Sequence, residues 1–240
     1  MTEESYEGVV TDALFRPVRR GNAFEDTVAR LLQTIRLGIV PPGEALPSER
    51  ELALRFSVSR DTVREAIREL ADAGYLVSKR GRYGGTFVTD PLPVAESDVQ
   101  PPSADEIEDI LGLREILELG AARAAAARTL SAAERDMLWT RLRETAAASV
   151  DDYRRLDSRL HLSIGEVVGT PSLVSLLADN RTRVNELLDR IPLLSANIAH
   201  SNDQHEAIVV AILTGDPDRA AAEMLEHLAG SSSLLRAFLG

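Results

Sequence analysis

Apolar positions along the chain mark out a series of short, regular elements. From Phe24 they recur at Val28, Leu31, Leu32, Ile35 and Ile39, the spacing of one helix face. Gly38 and the Pro41-Pro42-Gly43 turn end that helix. Ser48 reads as an N-cap, with Glu49 and Glu51 in the first turn, where the helix dipole favours acids. A short helix over 48–55 follows, then Val58 and a second N-cap at Ser59. Val63, Ile67 and Leu70 line one face of a helix over 59–73 that stops at Gly74. Tyr75-Leu76-Val77 and Thr86-Phe87-Val88 predict two short strands around a glycine-rich turn at 80–85.

Beyond this hairpin the pattern changes. Pro91, Pro93, Pro101 and Pro102 punctuate a polar stretch that reads as a linker over 90–103. Helical periodicity then runs to the end, over 104–128, 131–148, 151–168, 171–190, 196–214 and 217–238. Thr170-Pro171 and Asp216-Pro217 mark two helix starts, with proline at the first helical position. The predicted fold is mainly α: a winged helix-turn-helix (three helices plus a β-hairpin) followed by an all-α antiparallel bundle of six or seven helices. The expected domains are an arm at 1–20, a winged helix-turn-helix domain at 21–89, the linker, and an all-α domain at 104–240.

Composition narrows the class. The 240 residues contain no cysteine, which removes disulfides, zinc–thiolate sites and cysteine nucleophiles together. No apolar run approaches the ~18–20 residues of a membrane span. Glu3, Glu4, Glu7 and Asp12 are unlike a basic signal-peptide start. The expectation is a cytoplasmic protein with no membrane partner.

A net charge of −11 argues at first against nucleic acid. The sum hides an asymmetry. Residues 1–90 carry 13 basic and 14 acidic groups, whereas residues 91–240 carry 14 and 24. Within 50–82 there are 8 basic groups against 5 acidic ones. That basic island coincides with the predicted helix pair and hairpin.

The second helix of such a pair enters the major groove with its N-terminal residues facing bases. Ser59, Arg60, Asp61, Thr62 and Arg64 occupy that end. Arginine suits the task because its planar fork bonds guanine O6 and N7 together. An acid at Asp61 accepts from cytosine N4 or positions an arginine. Arg50 starts the preceding helix and is within reach of the same groove. Lys79, Arg80 and Arg82 sit on the hairpin, where Gly81, Gly84 and Gly85 permit close approach and positive φ. An arginine on an exposed helix is ordinarily a solvated charge; the co-occurrence of all three features carries the reading.

The acidic half holds all four histidines: His161, His200, His205 and His227. Asp157 and His161 lie four apart on one helix face, a natural pair of metal ligands. His205 and His227 lie on the last two helices, and bundle cores build metal sites from facing helices. His200 precedes His205 by five residues, roughly 140° around the helix, and should face elsewhere. One aspartate and three histidines suit a divalent transition metal, whether zinc, nickel, cobalt, manganese or iron.

These motifs resemble a known family. Leu46-Pro47-Ser48-Glu49-Arg50-Glu51-Leu52-Ala53, the run Val58 to Ile67, and Gly84-Gly85-Thr86-Phe87-Val88 resemble the GntR family of bacterial transcription regulators. The resemblance implies DNA contacts at Arg50, Ser59, Arg60, Thr62, Arg64 and the wing at Arg80-Gly81. Leu113-Arg114-Glu115-Ile116-Leu117-Glu118, Asp157-x3-His161, His205-Glu206-Ala207-Ile208 and His227 resemble the FCD ligand-binding domain of the FadR subfamily. In its metal-binding branch the ligands are one aspartate and three histidines, which match Asp157, His161, His205 and His227. The branch that binds acyl-coenzyme A lacks this set.

An organic-acid effector beside the metal follows from the resemblance. Arg114 offers a second carboxylate anchor, or else an i, i+4 partner for Glu118. Asn180 and Arg181 are placed facing the same cavity. The implied protein is a homodimeric, metabolite-controlled repressor whose two winged heads read a pseudo-palindromic operator. Two other readings stand beside it: a metal-dependent hydrolytic enzyme with an appended DNA-binding domain, and an interaction module whose histidines are only core residues.

Overall fold

A computed structural model describes residues 23–79, 81, 84–93, 102–191 and 195–239. The expected arm at 1–20, Arg80 and Arg82 on the hairpin, and most of the linker fall outside the described residues. The chain divides into two compact units, Met1–Asp98 and Val99–Gly240.

The first unit contains α1 (Ala23–Arg36), α2 (Glu49–Phe56), α3 (Arg60–Asp72), β1 (Leu76–Lys79) and β2 (Gly85–Val88). Two serines start the central helices. The Ser48 hydroxyl accepts from Glu51 N at 3.3 Å, and the Ser59 hydroxyl accepts from Thr62 N at 3.0 Å. Each satisfies a backbone donor left open by the first helical turn. Between α2 and α3, Ser57 adopts a left-handed conformation with φ 56°. This single residue makes the turn short enough for α2 and α3 to pack on each other.

Leu31 and Ile35 of α1, Leu52 and Phe56 of α2, and Val63, Ile67 and Leu70 of α3 form the core. Leu76 of β1 and Val88 of β2 close it, paired directly across the hairpin. The hairpin has an edge that periodicity did not show. Leu46 N donates to Thr86 O at 2.8 Å, and Val88 N donates to Glu44 O at 2.9 Å. Residues 44–46 therefore line β2 on the side away from β1, where a bare edge would expose unpaired backbone groups.

The second unit comprises α4 (Ala104–Ala126), α5 (Ala132–Ala146), α6 (Val150–Val168), α7 (Pro171–Leu188), α8 (Ser195–Thr214) and α9 (Pro217–Leu239). Every predicted helix is present, with bounds shifted by two residues or fewer. The starts follow from sequence chemistry. Ser103 and Ser131 form capping boxes with Glu106 and Glu134, and Ser149 caps through Asp152 N. Pro171 begins α7 with its φ already set, and Asp216 accepts from Arg219 N at 3.0 Å at the start of α9.

Helix α4 is the axis of the bundle and packs against α6, α7, α8 and α9. Its buried stripe is Ile107, Ile110, Leu111, Arg114, Glu118, Ala121, Ala122 and Ala125. The spacing is that of an apolar helix face, yet two of its members are charged. Helices α6 and α7 approach closely, since a Cβ on Gly165 would lie 2.4 Å from Leu177 Cδ1. This proximity carries charged groups of α7 onto α6.

The core of the first unit yields a paired test. Phe56 is fully buried and Leu54 is 73% exposed, two residues apart on the same helix. Phe56→Ala should destabilise this unit by about 3–5 kcal/mol, whereas Leu54→Ala should stay within about 0.5 kcal/mol. Denaturant unfolding of the two variants checks the difference. Equal losses would contradict the packing described.

Candidate functional site

The first candidate surface is the N-terminal end of α3. Arg60, Asp61 and Arg64 are exposed there, and Thr62 is half-buried. Ser59 is exposed but occupied with Thr62, whose own hydroxyl lies 2.8 Å from its Oγ. Arg64 is held rather than free. Its Nη1 pairs with Asp61 and its Nη2 with Glu49, both at 3.2 Å. Asp61 thus plays the second of its two expected parts, positioning an arginine. These exposed pairs are worth little in water and are readily exchanged for another acceptor.

Arg50 is also exposed, on the first turn of α2. Lys79 ends β1 with its ammonium 4.5 Å above the Phe87 ring, a cation–π contact that keeps it at the hairpin. Gly84 is required there, because a Cβ would sit 2.6 Å from Lys79 O. Gly81 has φ +115° and open space around it.

The second candidate surface is buried in the helical unit. Asp157 and His161 of α6, His205 of α8 and His227 of α9 each sit on the inward stripe of their helix. One donor atom from each converges, all within 4.8 Å of one another. His161 Nε2 and His227 Nε2 each lie 3.3 Å from His205 Nε2, and Asp157 Oδ1 lies 3.2 Å from it. Metal–ligand bonds of ~2.0–2.1 Å at tetrahedral angles separate donors by roughly 3.3 Å. The residues fit a divalent transition metal on both spacing and donor chemistry. His200 is exposed on α8, away from the cluster.

The groups behind the imidazoles strengthen that fit. A metal-ligating histidine ordinarily engages its other ring nitrogen with an oxygen acceptor, which fixes tautomer and orientation. His161 Nδ1 faces Glu118 Oε2 at hydrogen-bonding contact, and His227 Nδ1 lies 3.2 Å from Gln204 Oε1. His205 Nδ1 is buried without a hydrogen-bond partner among the described residues.

Glu118 was weighed in the sequence only as a helix partner of Arg114. That contact exists, at 3.1 Å, and is one of several. Glu118 also pairs with Arg181 Nη1 at 3.5 Å, and Arg181 Nη2 pairs with Asp157 Oδ2. Burial acts to raise the Glu118 pKa, but His161, Arg114 and Arg181 together hold it well below the usual carboxylate value of 4.5. Burial draws the Arg181 guanidinium down to about 10, opposed by Glu118. Both therefore stay ionised at neutral pH.

The two expected effector anchors are engaged inside the protein. Arg114 is 2% exposed, with Nε on Glu118 and Nη1 2.8 Å from Ser231 Oγ. Asn180 donates from Nδ2 to the Ile110 carbonyl at 3.0 Å, tying α7 to α4. Arg181 is the guanidinium that stands beside both carboxylates of the cluster.

A helix-turn-helix with a hairpin wing and a helical unit with a buried ligand cluster define a DNA-binding regulator with a sensing domain. Family comparison agrees. Residues 24–88 match the bacterial regulatory proteins of the gntR family, and residues 109–230 match the FCD domain. The chain belongs to the GntR family, as a DNA-binding transcription regulator with an FCD effector domain, and is not an enzyme.

The putative L-lactate dehydrogenase operon regulatory protein of Escherichia coli K12 is 28% identical over 238 residues, covering 92% of this chain and 88% of that protein. The transcriptional repressor NanR of Escherichia coli (strain K12 / DH10B) is 28% identical over 252 residues, covering 99% and 93%. The solved structure of Escherichia coli McbR/YncC superposes with a TM-score of 0.57 at 17% identity, over 90% of this chain and 97% of that one, a likeness of fold.

Burial holds His205 and His227 well below the ordinary value of 6.5, helped by neighbouring positive groups. They are neutral, the form in which an imidazole can ligate a metal. The unfolded chain therefore takes up protons before the folded one as pH falls through about 6.5, and stability falls with it. In chelator the melting temperature should decline steadily from pH 7.5 to pH 5.5, a window above the range in which ordinary carboxylates titrate. A flat profile would show that these histidines are not held neutral.

Proposed function

We propose that the protein is a homodimeric repressor of the FadR subfamily, controlled by a small carboxylic acid bound beside a divalent metal. Zinc is the foremost candidate, with Asp157, His161, His205 and His227 as its ligands. The observation that carries this reading is the convergence of three Nε2 atoms and one carboxylate oxygen, with Glu118 and Gln204 behind two of the rings. When bound, the metal supplies a positive centre that attracts an anionic oxygen in a dry core.

Arg50, Ser59, Arg60, Asp61, Thr62 and Arg64, with the wing at Arg80 and Gly81, make the operator contact. Two such heads in a dimer read a pseudo-palindrome. Repression is supported by the relative named as a repressor, and a carboxylic acid by the relative named for an L-lactate dehydrogenase operon. In this reading Arg114 and Asn180 shape the effector site by holding Glu118 and α4 in place. No helix among the described residues is long and apolar enough to cross a membrane, in keeping with a regulator acting on cytoplasmic DNA. By linkage, an acid that releases the operator is itself held less tightly by the DNA complex.

Metal analysis joined to a gel-shift titration tests the whole. The purified protein should carry about one metal per chain, lost in Asp157→Ala and His205→Ala. A small carboxylic acid should weaken binding to the protein's own promoter region. Absence of metal, with stability unchanged by chelator, would sink the site, because a ligand of the native state must add stability. Promoter binding that no acid alters would sink effector control.

The DNA surface has its own test. If Arg60 reads a base, Arg60→Ala should cost about 1–3 kcal/mol of operator affinity and relax specificity at one position. Normal binding by that variant would mean that α3 does not present Arg60 to the groove.

A further inference from the structure

The outer side of α4 is apolar at its centre and exposed. Ile116 is 73% exposed there, and Leu113 is exposed beside it. The two helices packed against α4 at its charged ends extend this face. Leu176 of α7 is exposed one heptad before Arg183, which pairs with Asp109 of α4. Leu225 of α9 is exposed one heptad after Asp218, which pairs with Arg123 of α4. Residues a heptad apart share a helix face, so both leucines lie on the sides of their helices that reach α4. Exposed apolar residues grouped in this way mark an interaction surface.

Two glycines lie on the same stripe. Gly112 and Gly120 stand inside α4, where glycine is less stable than alanine. A Cβ on either would meet nothing within 4 Å, so the packing of one chain does not require them. What they provide is a low surface that lets another backbone come close.

The stripe is symmetric about Ile116. Leu113 and Leu119 lie three residues to either side of it, Gly112 and Gly120 four, and Asp109 and Arg123 seven. Spacings of three, four and seven keep them all on one side of a helix. Such a helix is complementary to itself when turned end for end. Leucine then meets leucine, the two Ile116 side chains meet at the axis between the glycine hollows, and Asp109 meets Arg123 at both ends.

Charge selects that direction. A parallel pair would set Asp109 against Asp109 and Arg123 against Arg123, whereas the antiparallel pair sets opposite charges together. Within one chain these groups rest on Arg183 at 3.2 Å and Asp218 at 3.0 Å. Both are surface pairs, worth little in water and readily shared with a further partner.

We infer that the outer face of α4, centred on Ile116, is the docking surface for a second copy of this chain, held antiparallel about a two-fold axis. This rests on the homodimer proposed above and assigns its interface. Such an interface is isologous, so each contact away from the axis occurs twice. Arg114 and Glu118 are buried on the inner side of the same helix, so α4 is common to the interface and to the buried ions.

Sedimentation of the full-length protein over a range of concentrations, joined to cysteine cross-linking, tests this. The chain has no cysteine of its own, so an introduced thiol meets only its copy. Wild-type protein should sediment as a dimer. Ile116→Glu should raise the dimer dissociation constant at least roughly tenfold, with helical circular dichroism unchanged. Ile116→Cys should give a disulfide-linked dimer under mild oxidation, whereas Trp139→Cys, exposed on α5, should not. Asp109→Arg and Arg123→Asp should each weaken self-association, and an equal mixture of the two should associate more tightly than either alone.

A dissociation constant unchanged in Ile116→Glu, or no cross-link at position 116, overturns the inference while the homodimer stands. A mixture no tighter than its components overturns the antiparallel arrangement, and the inference with it. A wild-type monomer removes both the inference and the homodimer. Should Ile116→Glu not fold, the cross-link and the mixture still decide.

Discussion

Burying ionised side chains sets the terms for the helical unit. Each ion taken out of water costs several kcal/mol unless neighbours compensate for it. Arg114, Glu118 and Arg181 are all less than 5% exposed, and Asp157 is buried with them. The core tolerates them because Glu118 touches almost every other member: Arg114 along its own helix, Arg181 on α7, and His161 on α6. A single carboxylate thus joins three helices and orients a ligand ring. Removal of that carboxylate would leave Arg114 without an anion and Arg181 with Asp157 alone, and His161 would lose the acceptor that orients its ring.

The same chemistry explains why the site lies on regular helices rather than loops. Each ligand occupies a position that an apolar residue would otherwise fill, so packing fixes its rotamer. Leu160 and Ile164 flank His161 on α6, and Ile208 and Val209 follow His205 on α8. Sites held on packed elements keep their geometry better than sites on loops. The exposed N-terminal end of α3 is built on the opposite principle. Its arginines are exposed, and Arg64 rests on two carboxylates in high dielectric, where exchanging them for phosphate or a base costs little.

Local chemistry was legible in the sequence, and long-range pairing was not. Serine caps, Pro171, Pro217 and the Gly74 stop are written into adjacent residues, and the elements begin and end close to where these signals put them. Asp157 and His161 share a face by spacing alone. The grouping with His205 and His227, 44 and 22 residues away along the chain from one to the next, rested on the habit of bundle cores to build sites from facing helices and on family resemblance, not on spacing. The Glu118–His161 and Arg181–Asp157 pairs join helices far apart in sequence, and no periodicity encodes them. The third segment beside β2, residues 44–46, escaped for a related reason. It pairs with β2 through backbone hydrogen bonds, and three residues are too few to show an alternation. Asn180 and Asn185 show the limit most sharply. Both lie on α7, but only the hydrogen-bond partners distinguish the amide that ties two helices together from the one with an open end.

Charge is distributed unequally between the two units. The excess of acid lies in the second half, yet its buried core is balanced, so the negative charge there belongs to the outer faces of the helices. Such faces repel phosphate, whereas Arg60 and Arg64 are exposed at the start of α3 in the first unit. The sensing core works by the reverse arrangement. A divalent cation held by the four donors would create a local positive site among buried ions that otherwise cancel. An anion bound there would restore balance, in a medium where each charge interacts strongly.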